Sequence, residues 1–293
     1  MTLSKTISTT LKRRMERVVS LAPGTTEMLT YLGLAEKAVG VTQQCGFPEV
    51  AGRAVVGSFV RPDLERVHDL HPDLVLAMEH VHGRVLNDLV RNGSSVLLVS
   101  AGTVGGILQG MELAGHLLGD GHEARRVVGG LRSRIERVRE KARSATGVRV
   151  FRLMHDDPLR TPTCSSHQYD AIRLAGGIPM PLESEEPYAT VSLEKVMDFN
   201  PEVIVSCGIY LGEQPKPRCP TCKKEKPLCR RVAQEIASWE GWRDTTAART
   251  GRIVTIPCHL LCRPGPGVVE GIESLASLFC SKRVITDTNP FRK

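Results

Sequence analysis

Residues 58–77 read SFVRPDLERVHDLHPDLVLA, and residues 187–206 read PYATVSLEKVMDFNPEVIVS. Placed side by side, Phe59 meets Tyr188, Leu64 meets Leu193, Glu65 meets Glu194, Val67 meets Val196, Asp69 meets Asp198 and Pro72 meets Pro201, at a constant offset of 129 residues (188 − 59). Each copy is a short amphipathic run, a proline that a helix cannot continue through, and an apolar stretch suited to a buried strand. An offset near half of a 293-residue chain makes two similar lobes the leading architecture.

Working outward, each copy sits in a run of alternating elements. "RVVSL" (17–21) reads as a strand stopped by "APGTTE", where Thr25 or Thr26 is expected to cap the helix "EMLTYLGL". "AVGVT" (38–42), residues 74–78 and "SVLLVS" (95–100) read as further strands, with "VLNDLVRNG" (85–93) as a helix. Residues 103–145 form a helical stretch broken near Gly119 to Gly121, whose second half repeats Val127, Leu131, Ile135 and Val138 with charges between them. The pattern then restarts: strand "VRVFRLM" (148–154), helix "SSHQYDAIRLAGG" (165–177), the second copy, helix "RVAQEIASWEGW" (231–242), strand "GRIVTIP" (251–257) and helix "GVVEGIESLASLF" (267–279). Strands alternating with helices argue for an α/β fold of two Rossmann-like lobes with parallel sheets. The expected boundaries are an N-terminal lobe over 17–119, a linker helix over 120–146 and a C-terminal lobe over 147–293.

Composition narrows the function. A hydrophobic fraction of 41% with 24% charged residues fits a globular chain with a sizeable core. The net charge of +7 is dispersed and accompanied by only 4% aromatics, so nucleic acid is not an expected partner. The basic start carries no apolar stretch of the ~7 to 15 residues a secretory signal needs, which predicts a cytoplasmic protein, or a periplasmic or cell-surface one had a leader been trimmed. No run reaches the ~18 apolar residues of a membrane span. Catalytic motifs are absent: "GTVGG" (102–106) lacks the dinucleotide spacing, and no nucleophile, base and acid set appears, so no enzyme is expected.

In parallel α/β sheets, ligands bind beyond the carboxyl ends of the strands. Two such ends facing each other predict a cleft, walled by Pro23, Thr25, Thr26, Cys45, Ser58, Phe59 and His80 on one side and by His155, Tyr188, Cys207 and Arg263 on the other. Phe59 and Tyr188 are a matched pair of rings suited to a large flat ligand, though each could instead plug its own core. His80, His82, His155, His167 and His259 could offer nitrogen to a metal. Glu65 and Glu194 start the two short helices, where a carboxylate is favoured; they could also be acidic knobs for arginines of a partner.

Taken with "VGVTQQCGFPE" (39–49), "SLEKVMDFNPEVIVSCG" (192–208), "WEGWRDTTAARTGRIVTIP" (239–257) and "RPGPGVVEGIESLA" (263–276), the chain resembles the cobalamin-binding members of the class III substrate-binding proteins that serve ABC importers. The resemblance runs from about Arg17 to Phe279. It implies two lobes joined by a long helix, a corrinoid held between Phe59 and Tyr188, and Glu65 and Glu194 docked on importer membrane subunits, with the protein a monomer or weak dimer. Relatives on the same scaffold bind ferric siderophores, haem or metal ions.

Nine cysteines, an odd number, point to thiols or metal ligands rather than a disulfide framework. Cys219, Cys222 and Cys229 lie on a lysine- and proline-rich loop over 207–229, which predicts zinc or an iron-sulfur cluster with Cys207, Cys258, His259 or Cys262 as the fourth ligand. The alternative function is therefore a cytoplasmic metalloprotein for redox or metal handling; the C-x2-C pair could also be a redox pair.

Overall fold

The structure is a computed structural model that describes residues 15–143, 147–207 and 233–280. It divides into two compact units, one of residues 1–101 with 105–130, the other of residues 102–104 with 131–293.

In the first unit, β1 (Val18–Ser20) leads into α1 (Pro23–Tyr31), followed by β2 (Ala38–Val41), β3 (Ala54–Val55), and the hairpin β4 (Gly57–Ser58) with β5 (Arg61–Pro62). Then come α2 (Leu64–Asp69), β6 (Leu74–Met78), α3 (Glu79–Arg91), β7 (Val96–Val99), α4 (Val104–Leu118) and α5 (Gly121–Ala142). The main sheet has the order β3-β2-β1-β6-β7, with every pairing parallel. All five residues of β6 are buried, as expected of a parallel strand covered on both faces. The core gathers Val19, Leu21, Val56, Val67, Val75, Ala77 and Leu89.

In the second unit, β8 (Val148–Leu153) is followed by β9 (His155–Asp156), β10 (Leu159–Pro162), α6 (His167–Leu174), β11 (Gly177–Pro179), β12 (Tyr188–Thr190), α7 (Leu193–Phe199) and β13 (Val203–Cys207). After the undescribed residues come α8 (Ala233–Ala237), α9 (Thr246–Arg249), β14 (Ile253–Ile256), α10 (Cys258–Leu261) and α11 (Val268–Cys280). The parallel sheet β11-β8-β13-β14 repeats the first unit's β2-β1-β6-β7, and a small antiparallel sheet β12-β10-β9 is added. Phe151, Trp242 and Trp239 pack ring against ring in a core that includes Leu153, Val196, Ile204 and Ile236.

The repeat is structural at the same offset. Asp63 caps α2 through Oδ1, which accepts from the Arg66 N–H at 3.2 Å, and Ser192 caps α7 the same way from Lys195 at 3.4 Å. Both helices are followed by a left-handed non-glycine residue just before the proline, His71 at φ 44° and Asn200 at φ 45°. An arginine at the start of the first strand of each unit, Arg17 just before β1 and Arg149 in β8, then secures that turn. Arg17 donates to the carbonyls of Leu70 and His71, at 2.7 and 3.3 Å, and Arg149 donates to that of Asn200 at 3.0 Å. Cationic groups at a helix C-terminus are favoured by the exposed carbonyl dipoles.

Two local expectations are corrected. Pro23 starts α1 with Ala22 before it, and no side chain caps the helix. Proline suits the first helical position because it lacks a donor there and its φ is already helical. Thr25 and Thr26 are inside the helix, and their hydroxyls donate back to the Ala22 carbonyl at 2.9 and 3.1 Å. In α5 the buried stripe is Ala124, Val128, Leu131, Ile135 and Val138, so Val128 replaces Val127 on the packed face. The division between the units falls inside this helix, at Gly130.

Candidate functional site

In the first unit, the carboxyl ends of β1 and β2 carry a network of hydroxyl and thiol groups. Ser20 Oγ lies 2.7 and 2.8 Å from the hydroxyls of Thr25 and Thr26, and Cys45 Sγ is in hydrogen-bond contact with Thr26 at 3.1 Å and Thr42 at 3.2 Å. Thr25, Thr26 and Cys45 are all buried, with their polar atoms used inside the unit. Pro23 and Phe59 are half-buried, Ser58 hydrogen-bonds within its hairpin, and His80 is exposed on the first turn of α3.

Phe59 is positioned by a histidine. His82, on α3 and only 1% exposed, accepts the Met78 N–H at Nδ1 (2.9 Å). Its Nε2 therefore carries the proton and donates to the Phe59 carbonyl at 2.8 Å. Its ring meets that of Phe59 edge to face at 5.7 Å, while the Phe59 N–H donates to Gln44 Oε1 at 2.8 Å. Burial holds His82 below its ordinary pKa against the opposing pull of the two backbone bonds, so the ring stays neutral. Both its nitrogens are engaged, which removes His82 from the set of metal-ligand candidates.

The second unit is built around a buried cation. Arg152, on β8, is 1% exposed, and every donor has an acceptor. Nε donates to Gln168 Oε1 at 3.0 Å, and Nη1 to the carbonyls of Val205 and Leu153 at 3.0 and 3.2 Å. Nη2 donates to Cys207 Sγ at 2.8 Å and to Cys262 Sγ at 3.0 Å. Those two sulfurs are 2.8 Å apart, and the exposed Cys258, one helical turn before Cys262, shares hydrogen bonds with both. Burial opposes the charge on Arg152, but the facing thiols outweigh it and its pKa is raised. Hydrogen bonds from Cys258 and Cys262, with the guanidinium behind them, hold Cys207 well below a free thiol, whereas its bond to Cys207 pushes Cys262 up to about 12. Cys207 is thus the sulfur of the cluster whose charged form these contacts favour.

Arg152 also reaches the second aromatic. Gln168, which accepts from Arg152, donates through Nε2 to the Tyr188 hydroxyl at 3.4 Å. Burial raises the Tyr188 pKa, so the phenol stays protonated. His167 is buried with Nε2 3.0 Å from the Leu261 carbonyl; His155 Nδ1 lies 3.0 Å from that of Pro158. The Arg263 N–H donates to the Cys258 carbonyl at 3.2 Å.

Cys219, Cys222 and Cys229 lie outside the described residues, and among the described residues no group of three His, Cys, Asp or Glu side chains is arranged to hold a metal ion. Cys207 and Cys262, two of the expected ligands, meet each other around Arg152 instead. Arg152 and Gln168 were not expected, and the visible signal is the second of two arginines in the strand "VRVFRLM", set between Phe151 and Leu153. Glu65 and Glu194 are exposed on the first turns of α2 and α7. Hydrogen bonding from Ser192 and from its own backbone N–H lowers the Glu194 pKa.

The periplasmic binding protein family matches residues 18–260. A vitamin B12-binding protein of Vibrio parahaemolyticus is 23% identical over 90% of both chains. An uncharacterised ABC transporter substrate-binding lipoprotein of Bacillus subtilis, YvrC, is 25% identical over 91% of this chain and 81% of its own. Among solved structures, the vitamin B12-binding protein BtuF of Vibrio cholerae superposes with a TM-score of 0.74 at 22% identity, covering 90% of this chain and 96% of its own. Haem-complexed IsdE of Staphylococcus aureus also reaches 0.74, at 16% identity over 90% and 99%. A periplasmic family and a lipoprotein relative overturn the cytoplasmic expectation and point outside the cytoplasm. With a non-catalytic solute-binding family matching most of its length, the chain belongs to the periplasmic binding proteins, as a substrate-binding protein of the ABC importer type on the class III fold.

Proposed function

We propose that the ligand is a corrinoid, cobalamin or a close relative, recognised by Phe59 of the first unit and Tyr188 of the second, with Glu65 and Glu194 docking on arginines of the importer's membrane subunits. The observation that carries the ligand is the likeness over 90% of both chains to a vitamin B12-binding protein. The site supports it: each unit holds one half-buried aromatic at the same offset, and each ring is fixed by a buried polar side chain, His82 for Phe59 and Gln168 for Tyr188. Pre-set rings bind a flat macrocycle without the cost of ordering them. Loop amides and helix N-termini would serve the corrin side-chain amides.

Aquocobalamin mixed with micromolar protein should change its absorption spectrum and be retained through desalting, and Phe59→Ala or Tyr188→Ala should weaken binding roughly tenfold each. Passage of all the cobalamin through the column would sink the reading. Haem is the second reading, favoured by the match to haem-complexed IsdE. Retention of haemin but not of cobalamin decides for it, and a ferric siderophore is the third arm.

A further inference from the structure

We propose that Cys207 and Cys262 are a redox-active dithiol, closed to a disulfide by exchange with a small-molecule disulfide, with Arg152 stabilising the open, reduced form.

Three observations carry this. The two sulfurs, 55 residues apart in sequence, lie 2.8 Å from one another, within about 1 Å of bonding distance. Both accept from the same guanidinium nitrogen. That guanidinium is buried and meets no carboxylate among the described residues, its other acceptors being an amide oxygen and two carbonyls. A buried cation needs an anion, and the sulfurs are the groups in place to supply one. The cluster is also peculiar to the second unit: at the offset of 129 residues, Cys207 is matched by Met78, and the first unit's Cys45 touches two hydroxyls and no cation. Outside the cytoplasm a disulfide, once formed, persists.

The chemistry is ordinary exchange. The Cys207 thiolate attacks one sulfur of an alkyl disulfide such as oxidised glutathione, the reagent's S–S bond breaks, and one thiolate leaves with the electron pair and takes up a proton. Cys262 gives up its proton and attacks the Cys207 sulfur, and the second glutathione thiol leaves. Two electrons pass from the pair to the reagent; Cys262 supplies one proton and solvent supplies the other. Because Arg152 favours the thiolate, it favours the reduced pair, so the disulfide is more oxidising than it would be without that cation.

The test equilibrates the full chain in glutathione buffers of graded ratio, quenches with acid, alkylates the free thiols and maps the peptides by mass spectrometry. Expected is a Cys207–Cys262 disulfide, unchanged by Cys164→Ser or Cys280→Ser, whereas Cys262→Ser leaves Cys207 joined to glutathione. Arg152→Met should shift the midpoint roughly tenfold toward the disulfide, about 30 mV. If that variant does not fold, Cys262→Ser and the wild-type linkage still decide. Linkage of Cys207 to any other cysteine overturns the proposal, as does a fully reduced pair in excess oxidised glutathione. Uptake of one zinc ion that shields Cys207, Cys258 and Cys262 together from alkylation overturns it in favour of a metal site.

Discussion

Removing the guanidinium of Arg152 tests how the second unit is held together. Arg152→Met keeps a side chain of similar reach and deletes the donors to Gln168, Val205, Leu153, Cys207 and Cys262. Breaking a buried charged pair from one side costs about 3–5 kcal/mol, most of it from the charge left behind. Here the charge left behind is a thiolate, which can take up a proton, and Val205 O and Leu153 O are backbone carbonyls with a second lone pair available. The loss therefore sits at the low end, about 3 kcal/mol. At 2–4 °C per kcal/mol for a unit of this size, the melting temperature should drop by about 6–12 °C. Circular dichroism melts at neutral pH measure it. Arg152→Lys should fall between wild type and Arg152→Met, because it keeps the charge but cannot fork to both sulfurs and the carbonyls. A Met variant melting within about 2 °C of wild type would show that the cation is dispensable, and the description of the cluster would fail.

Two further outcomes follow from the geometry. His82 is held below its ordinary pKa by burial, so the unfolded chain, near 6.5, binds the proton first. Its contribution is whole above about pH 6.5 and is lost as the pH falls from there toward the folded value; urea titrations at pH 7.5 and 5 should show that loss in the wild type and a smaller one in His82→Gln. Gly271→Ala places a methyl group on the backbone carbonyl of Leu260 and should cost about 3 kcal/mol, read as a lower urea midpoint. Gly129→Ala, whose added methyl meets nothing within 4 Å inside a helix, should instead stabilise the protein by about 1 kcal/mol and so raise the midpoint. Equal effects of the two substitutions would contradict the packing described.

Much of the fold was legible because it rests on local chemistry repeated twice. Proline after a short amphipathic run, then β-branched apolar residues, gave α2–β6 and α7–β13 at the right positions. Thr25 and Thr26 misled because a threonine near a helix start is usually a cap, whereas Pro23 had already set the first turn. The aromatics were legible through symmetry; what fixes them was not. His82 reaches Phe59 across 23 residues, and Arg152 reaches Cys207 across 55 and Cys262 across 110, distances at which no periodicity links one residue to another. Cys219, Cys222 and Cys229 were singled out for their spacing along the loop, and Cys207 and Cys262 as strand-end candidates for a fourth ligand; the pairing of β13 with β14 and the short helix α10 bring those two together, around an arginine rather than a metal.

The turns at His71 and Asn200 show how one repeated design can serve two units that differ in chemistry. Each turn, with its arginine, fastens the amino-terminal ends of two neighbouring strands: Arg17 O accepts from the Asp73 N–H at 2.8 Å, and Arg149 O accepts from the Glu202 N–H at 2.8 Å. The groups around Phe59 and Tyr188 lie at the opposite, carboxyl ends. The fastening and the groups proposed for recognition thereby occupy opposite edges of the same sheet. The carboxyl edge can therefore carry an imidazole in one unit and a guanidinium with thiols in the other without disturbing the fastening, which is the same in both.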